Sequence, residues 1–265
     1  MKSNLLNTLV LAALVLPAVA MADTAPAPAP TPDNVVTTNV NLVSNYVYRG
    51  ISQTGGKPAI QGGLDYSHVS GFYAGMWGSN ISWLSDSKTA ANASLELDTY
   101  LGFKNSFATD YSYDVGFLRY NYPGTYAPAT TTGDTNEIYG LIGWKWLTAK
   151  YSYSLGSTFG LPNASGTSYF DLSANYAIPD TTYTLGAHYG KQTYKGSTAN
   201  LDAAAGADPT YSDYKLSVAK DLGTGYGVSL TYSKTNATTG VGTFYNVLGK
   251  DLGKGAAVLA LSRTF

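Results

Sequence analysis

The sequence predicts an all-β fold: an antiparallel transmembrane β-barrel of about twelve strands behind a cleaved export signal. Three observations predict it. Apolar and polar residues alternate with period two along most of the chain. The composition pairs 23 Tyr and 29 Gly with only 12% charged residues, where a water-soluble domain carries about 25%. After the N-terminus, no apolar run approaches the ~20 residues that a spanning helix requires.

The N-terminus sets the compartment. Lys2 gives a short positive region, and Leu5 to Val19 form an apolar stretch broken only by Asn7, Thr8 and Pro17. Ala20-Met21-Ala22 supplies the small-x-small pattern of a signal-peptidase site, so residues 1–22 read as a signal peptide cut before Asp23. Residues 23–33 (DTAPAPAPTPD) alternate Pro and Ala with no large side chain, which makes them an extended, solvated spacer. Residues 34–265 remain for the barrel. With no cysteine there is no disulfide framework and no thiolate metal site. A net charge of −1 and the lack of any basic block exclude nucleic acid as a partner class.

In a strand, successive side chains point to opposite faces, so a barrel wall reads apolar-out and polar-in. Val36, Val40, Leu42, Tyr46 and Tyr48 share one parity of the first segment; Thr37, Asn39, Asn41, Asn45 and Arg49 share the other. Leu95, Leu97, Leu101 and Phe103 alternate with Ser94, Glu96, Asp98 and Lys104. The same alternation runs through Phe170–Ile178, Tyr183–Tyr189 and Tyr226–Tyr232. Two segments fit less well. The slip at Phe117-Leu118 predicts a β-bulge, and Met76 falls on the polar parity of a segment whose Tyr73, Trp77, Ile81 and Trp83 are assigned to lipid. No helix is indicated in the mature chain.

A soluble sandwich or lipocalin-like barrel would place charge on the outer parity and branched aliphatics inside. Here the polar parity is mostly Ser, Thr, Asn and Gly. Aromatic residues near segment ends (Tyr66, Trp83, Tyr111, Tyr122, Trp144, Trp146, Tyr176, Tyr214) match the interface girdles of a membrane barrel, in contact with outer-membrane lipid.

Thirteen segments qualify as strands: 36–51, 58–68, 71–84, 94–107, 110–122, 136–147, 148–157, 168–178, 181–193, 211–221, 225–235, 242–251 and 255–265. Short connections at 69–70, 108–109, 179–180 and 222–224 alternate with longer ones near 52–57, 85–93, 123–135, 158–167 and 194–210. Short turns belong to the periplasmic side and long loops to the outside. An even count is required when both ends are periplasmic. Asn246 and Gly249 break the pattern of 242–251, so it joins an outer loop, 236–254, and twelve strands remain. The last segment ends in Phe265, the aromatic terminus that the barrel assembly machinery recognises. Arg263 falls on its apolar parity, where an Arg near the membrane edge snorkels to headgroups.

The block from Ser44-Asn45-Tyr46-Val47-Tyr48-Arg49-Gly50-Ile51-Ser52-Gln53-Thr54 through Lys57-Pro58-Ala59-Ile60-Gln61-Gly62-Gly63-Leu64-Asp65-Tyr66 continues into Ser70-Gly71-Phe72-Tyr73-Ala74-Gly75 and Trp77-Gly78-Ser79-Asn80. This block, with the closing Leu261-Ser262-Arg263-Thr264-Phe265, resembles the TorF-type porins of proteobacteria. That family often has Asp where Asn45 stands. The resemblance implies an outer-membrane barrel and names no solute.

The residues predicted to line the interior are Asn45, Arg49, Asp65, Glu96, Asp98, Lys104, Asp114, Glu137, Lys145, Lys150, Asp171, His188, Asp213 and Lys215. Such charges either ring a constriction that selects solutes by sign and size or pair across strands and close the lumen. The slight acidic excess leans toward cations. The first alternative is a passive channel for small solutes or ions. The second is a closed barrel with a structural role or a binding role through its outer loops. A soluble periplasmic β-protein and an outer-membrane hydrolase rank below both. Of the two histidines, His68 ends a strand on the apolar parity and His188 faces inward at mid-strand, and no catalytic signature surrounds either. No phosphate loop or metal-ligand spacing occurs, so no catalytic residue, metal or cofactor is expected.

Overall fold

A computed structural model describes residues 32–88, 90, 92–196, 208–241 and 243–265. The signal peptide and residues 23–31 of the spacer lie outside the described residues. In chain order the elements are β1 (Asn34–Val43), a small hairpin of β2 (Val47–Tyr48) and β3 (Ile51–Ser52), β4 (Ala59–His68), β5 (Phe72–Asn80), a single helical turn α1 (Trp83–Asp86), β6 (Leu95–Phe107), β7 (Tyr111–Asn121), β8 (Thr135–Trp144), β9 (Leu147–Ser154), β10 (Ser168–Ala177), β11 (Tyr183–Thr193), β12 (Tyr211–Gly223), β13 (Tyr226–Thr235), a second small hairpin of β14 (Asn246–Val247) and β15 (Lys250–Asp251), and β16 (Ala256–Thr264).

Twelve of these close into one antiparallel barrel, in which β1 pairs with β4 on one side and with β16 on the other. Closure matters energetically, because in lipid an unpaired strand edge has no water to satisfy its N–H and C=O groups. The segment around 242–251 stands outside the wall as the β14–β15 hairpin. Among the described residues no helix is long and apolar enough to cross a membrane.

The wall sorts its side chains by parity. Outward Leu101, Leu172, Leu230 and Leu259 are exposed, while inward Asn41, Gln61, Ser79 and Ser152 are buried. A dry soluble core would reverse this. Tyr111, Trp144, Trp146, Tyr176 and Tyr214 are exposed on the outer surface, as interface aromatics should be. Arg263 also points outward. Its guanidinium stacks on Tyr226 at 4.3 Å and on Phe265 at 5.0 Å, so flanking rings shelter its charge at the membrane edge.

Several expectations are corrected. The register of β7 with β6 and β8 is continuous, with no bulge at Phe117-Leu118. Leu118 simply faces inward and is buried with Tyr120 and Tyr122. The register shift lies instead at Asp221/Gly223, between β12 and β13. On β5 the lipid parity is inverted: Tyr73 and Trp77 are buried inside, and Met76 faces out, 44% exposed. Tyr122 and Trp83 therefore leave the girdle for the interior cluster. Lys145 turns the chain between β8 and β9 at φ 53°, so 136–157 contains a tight reversal there. The helical turn α1 was not expected.

The inverted parity of β5 has a local cause. Tyr73-x-Gly75 on β5 faces Tyr100-x-Gly102 on β6, pairing Tyr73 with Gly102 and Gly75 with Tyr100. Gly116 on β7 similarly pairs with Tyr139 on β8. Each ring lies flat along the wall over the glycine opposite, a space that no other residue leaves free. A Cβ at Gly116 would stand 2.6 Å from the Tyr139 hydroxyl, and one at Gly75 only 2.5 Å from the Tyr100 ring. Gly116→Val is expected to destabilise the barrel by about 1–3 kcal/mol, the usual range for overpacking. Urea unfolding from lipid vesicles measures this, and an unchanged midpoint would refute the seat.

Candidate functional site in the barrel lumen

The barrel strand β1 stops at Val43, and the chain then folds inward rather than continuing the wall. Asn45 and Arg49 are therefore not on the first strand, as the alternation predicts, but on an inner hairpin reaching into the lumen from the long-loop end. Arg49 (φ 45°) and Gly50 (φ 76°) are its two central residues, joining Tyr48 to its partner Ile51. Left-handed conformation at both positions is the signature of a type I′ turn, whose twist matches antiparallel strands. Asn45 fastens the base: its Oδ1 accepts from Ser52 Oγ at 2.7 Å and from Thr54 Oγ1 at 3.2 Å. The backbone N–H of Gln53 donates to Tyr46 O at 2.7 Å.

The tip of this hairpin touches the wall on several sides. Arg49 makes a fork with Glu137 of β8, Nη1 to Oε1 at 3.0 Å and Nη2 to Oε2 at 2.8 Å. Nη1 also donates to Gln192 Oε1 of β11 at 2.9 Å. The guanidinium lies 4.3 Å from the Tyr169 ring centre, 5.0 Å from Tyr48 and 5.8 Å from Phe159. The Arg49 carbonyl accepts from the Tyr211 hydroxyl at 2.9 Å. Gly50 sits so close to β12 and β13 that a Cβ would stand 2.6 Å from Asp213 Cβ and would also overlap Thr235. Tyr46 donates to Glu96 Oε1 at 3.2 Å, and the Tyr48 hydroxyl meets that of Tyr120. Both sides of the Arg49–Glu137 pair are buried, at 6% and 2% side-chain exposure. Removing one side of such a buried, bidentate pair leaves the other charge uncompensated, which costs about 3–5 kcal/mol.

Around the tip, the inward acids Glu96, Asp98, Glu137 and Asp213 are all buried. Glu96 Oε2 and Asp98 Oδ1 have no hydrogen-bond partner among the described residues. The inward bases Lys104 and Lys150 lie nearer the short-turn ends of their strands, whereas Lys215 lies nearer the long-loop end of its own. Lys150 caps the Tyr139 ring at 3.9 Å, and Lys104 the Tyr73 ring at 5.2 Å. Asp114 accepts from Tyr73 at 2.6 Å and Asp65 from Tyr100 at 2.5 Å. The interior is thus acidic beside the hairpin and of mixed sign below it. Lys145 is absent from both zones. Its half-exposed ammonium lies 3.7 Å from Asp110 outside the lumen.

His188 closes a second network, which shares Tyr169 and Asp213 with the surroundings of the hairpin tip. Its Nε2 is 3.0 Å from Asp213 Oδ1 and 3.0 Å from the Tyr169 hydroxyl. Its Nδ1 is 3.0 Å from Ser173 Oγ and 3.3 Å from Asp171 Oδ2. Both ring nitrogens are engaged by carboxylates, and Ser173 Oγ donates to Asp171 at 2.6 Å. That arrangement leaves no nitrogen to take a proton from an attacking hydroxyl. Among the described residues no group of three or more His, Asp or Glu side chains is placed to hold a metal ion.

Sequence reasoning missed Tyr73, Trp77, Leu118, Tyr120 and Tyr169, which shape the lumen as much as its charges do. It also missed Gln192. The Tyr-x-Gly repeats on neighbouring strands were the available signal for the first of these.

The barrel is similar to solved porin structures. A structure described as the NanC porin aligns with 87% of this chain and 99% of its own length at TM-score 0.52 and 10% identity. Acinetobacter baumannii OccAB3 aligns with 89% of this chain and 65% of its own, at TM-score 0.43 and 12% identity. Pseudomonas aeruginosa OprD aligns with 89% of this chain and 68% of its own, at TM-score 0.38 and 13% identity. At such identities the likeness concerns the fold. No curated protein matches the chain. The model of one family, described as "Bacterial protein of unknown function (Gcw_chp)", matches residues 27–265. With that match running through the whole barrel to Phe265, the chain belongs to the Gcw_chp family of bacterial proteins.

Proposed function

We propose that the chain is an outer-membrane channel that passes small polar solutes or ions by passive diffusion, with the inner hairpin narrowing its outer half. One observation carries this reading: an apolar, lipid-facing wall encloses an interior bearing Asp65, Lys104, Asp114, Lys150, Asp171 and Lys215. Charges inside a membrane are costly and mark pathways. The reading takes residues 1–22 as the export signal, 23–33 as a periplasmic spacer and Phe265 as the mark read by the assembly machinery. It also takes the resemblance of residues 40–82 to TorF-type porins as kinship. It needs no cofactor, and it makes the chain a conduit rather than an enzyme.

A closed barrel is the second reading, and the hairpin packed among Glu137, Gln192, Tyr211 and Asp213 favours it. Planar-bilayer recording separates the two. Discrete current steps from the refolded protein are expected. A barrel that shows the heat-modified gel mobility of a folded state, yet gives no steps at any voltage, would overturn the channel.

A further inference from the structure

We propose that the seat of Arg49 is a binding site for small organic cations bearing a guanidinium group, occupied in this structure by the chain's own side chain. For transport this rests on the channel reading; for binding it does not. The seat has the parts that guanidinium recognition requires. The Glu137 carboxylate presents both oxygens to two N–H groups at 3.0 and 2.8 Å, which matches the planar fork of guanidinium and not the point charge of sodium. Gln192 Oε1 accepts a further N–H at 2.9 Å. Tyr169 offers its ring face at 4.3 Å, with Phe159 on the rim at 5.8 Å, and a weakly hydrated planar cation stacks on such rings.

All four of these partners belong to the wall or to another loop. Withdrawing the hairpin would therefore leave them in place. The only group removed is the guanidinium itself, with its neighbour Tyr48. The surroundings also favour a cation: without the guanidinium the buried Glu137 carboxylate loses its charge partner, and Asp213 backs Gly50. Buried carboxylates without partners are expensive, so an emptied seat draws in positive charge. Arg49 acts as a tethered pseudo-ligand. Held in register by a packed hairpin, it pays no translational and little conformational entropy to fill the seat, and a free cation competes poorly until the tether is cut.

Arg49→Ala empties the seat, and ethylguanidinium is the probe. In the refolded full-length protein, millimolar ethylguanidinium should raise the thermal midpoint of Arg49→Ala by a few degrees. It should leave the wild type unmoved, because its seat is filled. Arg49→Ala/Glu137→Gln should not respond, and sodium at equal ionic strength should stabilise none of them. Should Arg49→Ala fail to refold, Arg49→Gln carries the same titration. In bilayers the same cation should block the Arg49→Ala current saturably, with the block lost in the double variant. An equal response in all three proteins, or none in Arg49→Ala, overturns the site. A variant that binds the cation but never conducts fails the channel reading and leaves the site standing. One that conducts and ignores the cation does the reverse.

Discussion

Leu230→Arg is expected to prevent most of the protein from folding into lipid vesicles, while Ser229→Arg at the next position is tolerated. Both residues lie in the middle of β13. Leu230 pairs with Val218 and Leu259 on the outer face, and Ser229 pairs with Ala219 and Ala260 on the inner one. Leu230 is 51% exposed on that outer face, where the solvent is hydrocarbon. An Arg at the midplane of a barrel's lipid face costs about 2–4 kcal/mol, a large share of the stability of any domain. At Ser229 the same side chain enters a region of small neighbours and water. The folded fraction, read as heat-modified gel mobility, measures both. Equal tolerance of the two, or the opposite order, would mean that the wall is inside out.

The contrast between neighbouring residues shows what the sequence could convey. Alternation is a property of single strands, so segments such as Leu95–Phe103 and Tyr226–Tyr232 declared their faces directly. The count of twelve follows from the even number that two periplasmic ends require, once Asn246 and Gly249 remove 242–251 from the wall. Alternation failed where an aromatic residue belonged inside. Tyr73 and Trp77 look like lipid-facing residues until the register places Tyr73 over Gly102, and register is a relation between strands. Leu118 misled for the same reason: packing against Tyr120 and Tyr122 inside the lumen resembled a bulge in a one-dimensional pattern.

The site was legible in its residue types and not in its geometry. Glu96, Asp98, Glu137, Asp171, His188 and Asp213 were assigned to the interior and face it. Asn45 and Arg49 were assigned to the right space on the wrong element. The signal for the hairpin was length: residues 36–51 are more than the ~9–11 that a spanning strand needs, and Arg49-Gly50 lacks the Asn-Gly form of the commonest I′ turn. That Glu137 and Gln192 meet on one guanidinium depends on the hairpin reaching the stretch of wall that runs from β8 through β9 and β10 to β11. No spacing along the chain encodes that meeting. Lys145 was misplaced because a tight turn of two residues leaves almost no break in the pattern.

The hairpin can be tested by removing it, because its ends are already neighbours. Val43 and Ala59 are direct cross-strand partners, about 5 Å apart as any such pair is. A two-residue Asn-Gly turn therefore closes β1 onto β4 without residues 44–58. The wall keeps every registered pair of β1 with β4 and β16 and loses only the bonds of Ser44 to Leu259 at the end of the ladder, so the shortened chain is expected to refold with the same heat-modified mobility. Its lumen loses Tyr46, Tyr48 and Arg49, and Glu96, Glu137 and Asp213 then face water instead of protein. Solvation offsets what their lost partners contributed, so these acids become a charged lining for a wider path. Single-channel conductance should rise several-fold above the full-length protein, with a shift in reversal potential toward cation preference under a salt gradient. An unchanged conductance would mean that the narrowest point lies elsewhere, among Lys104, Asp114 and Lys150. A preference for anions would mean that those bases, and not the acids beneath the hairpin, set the sign of what passes.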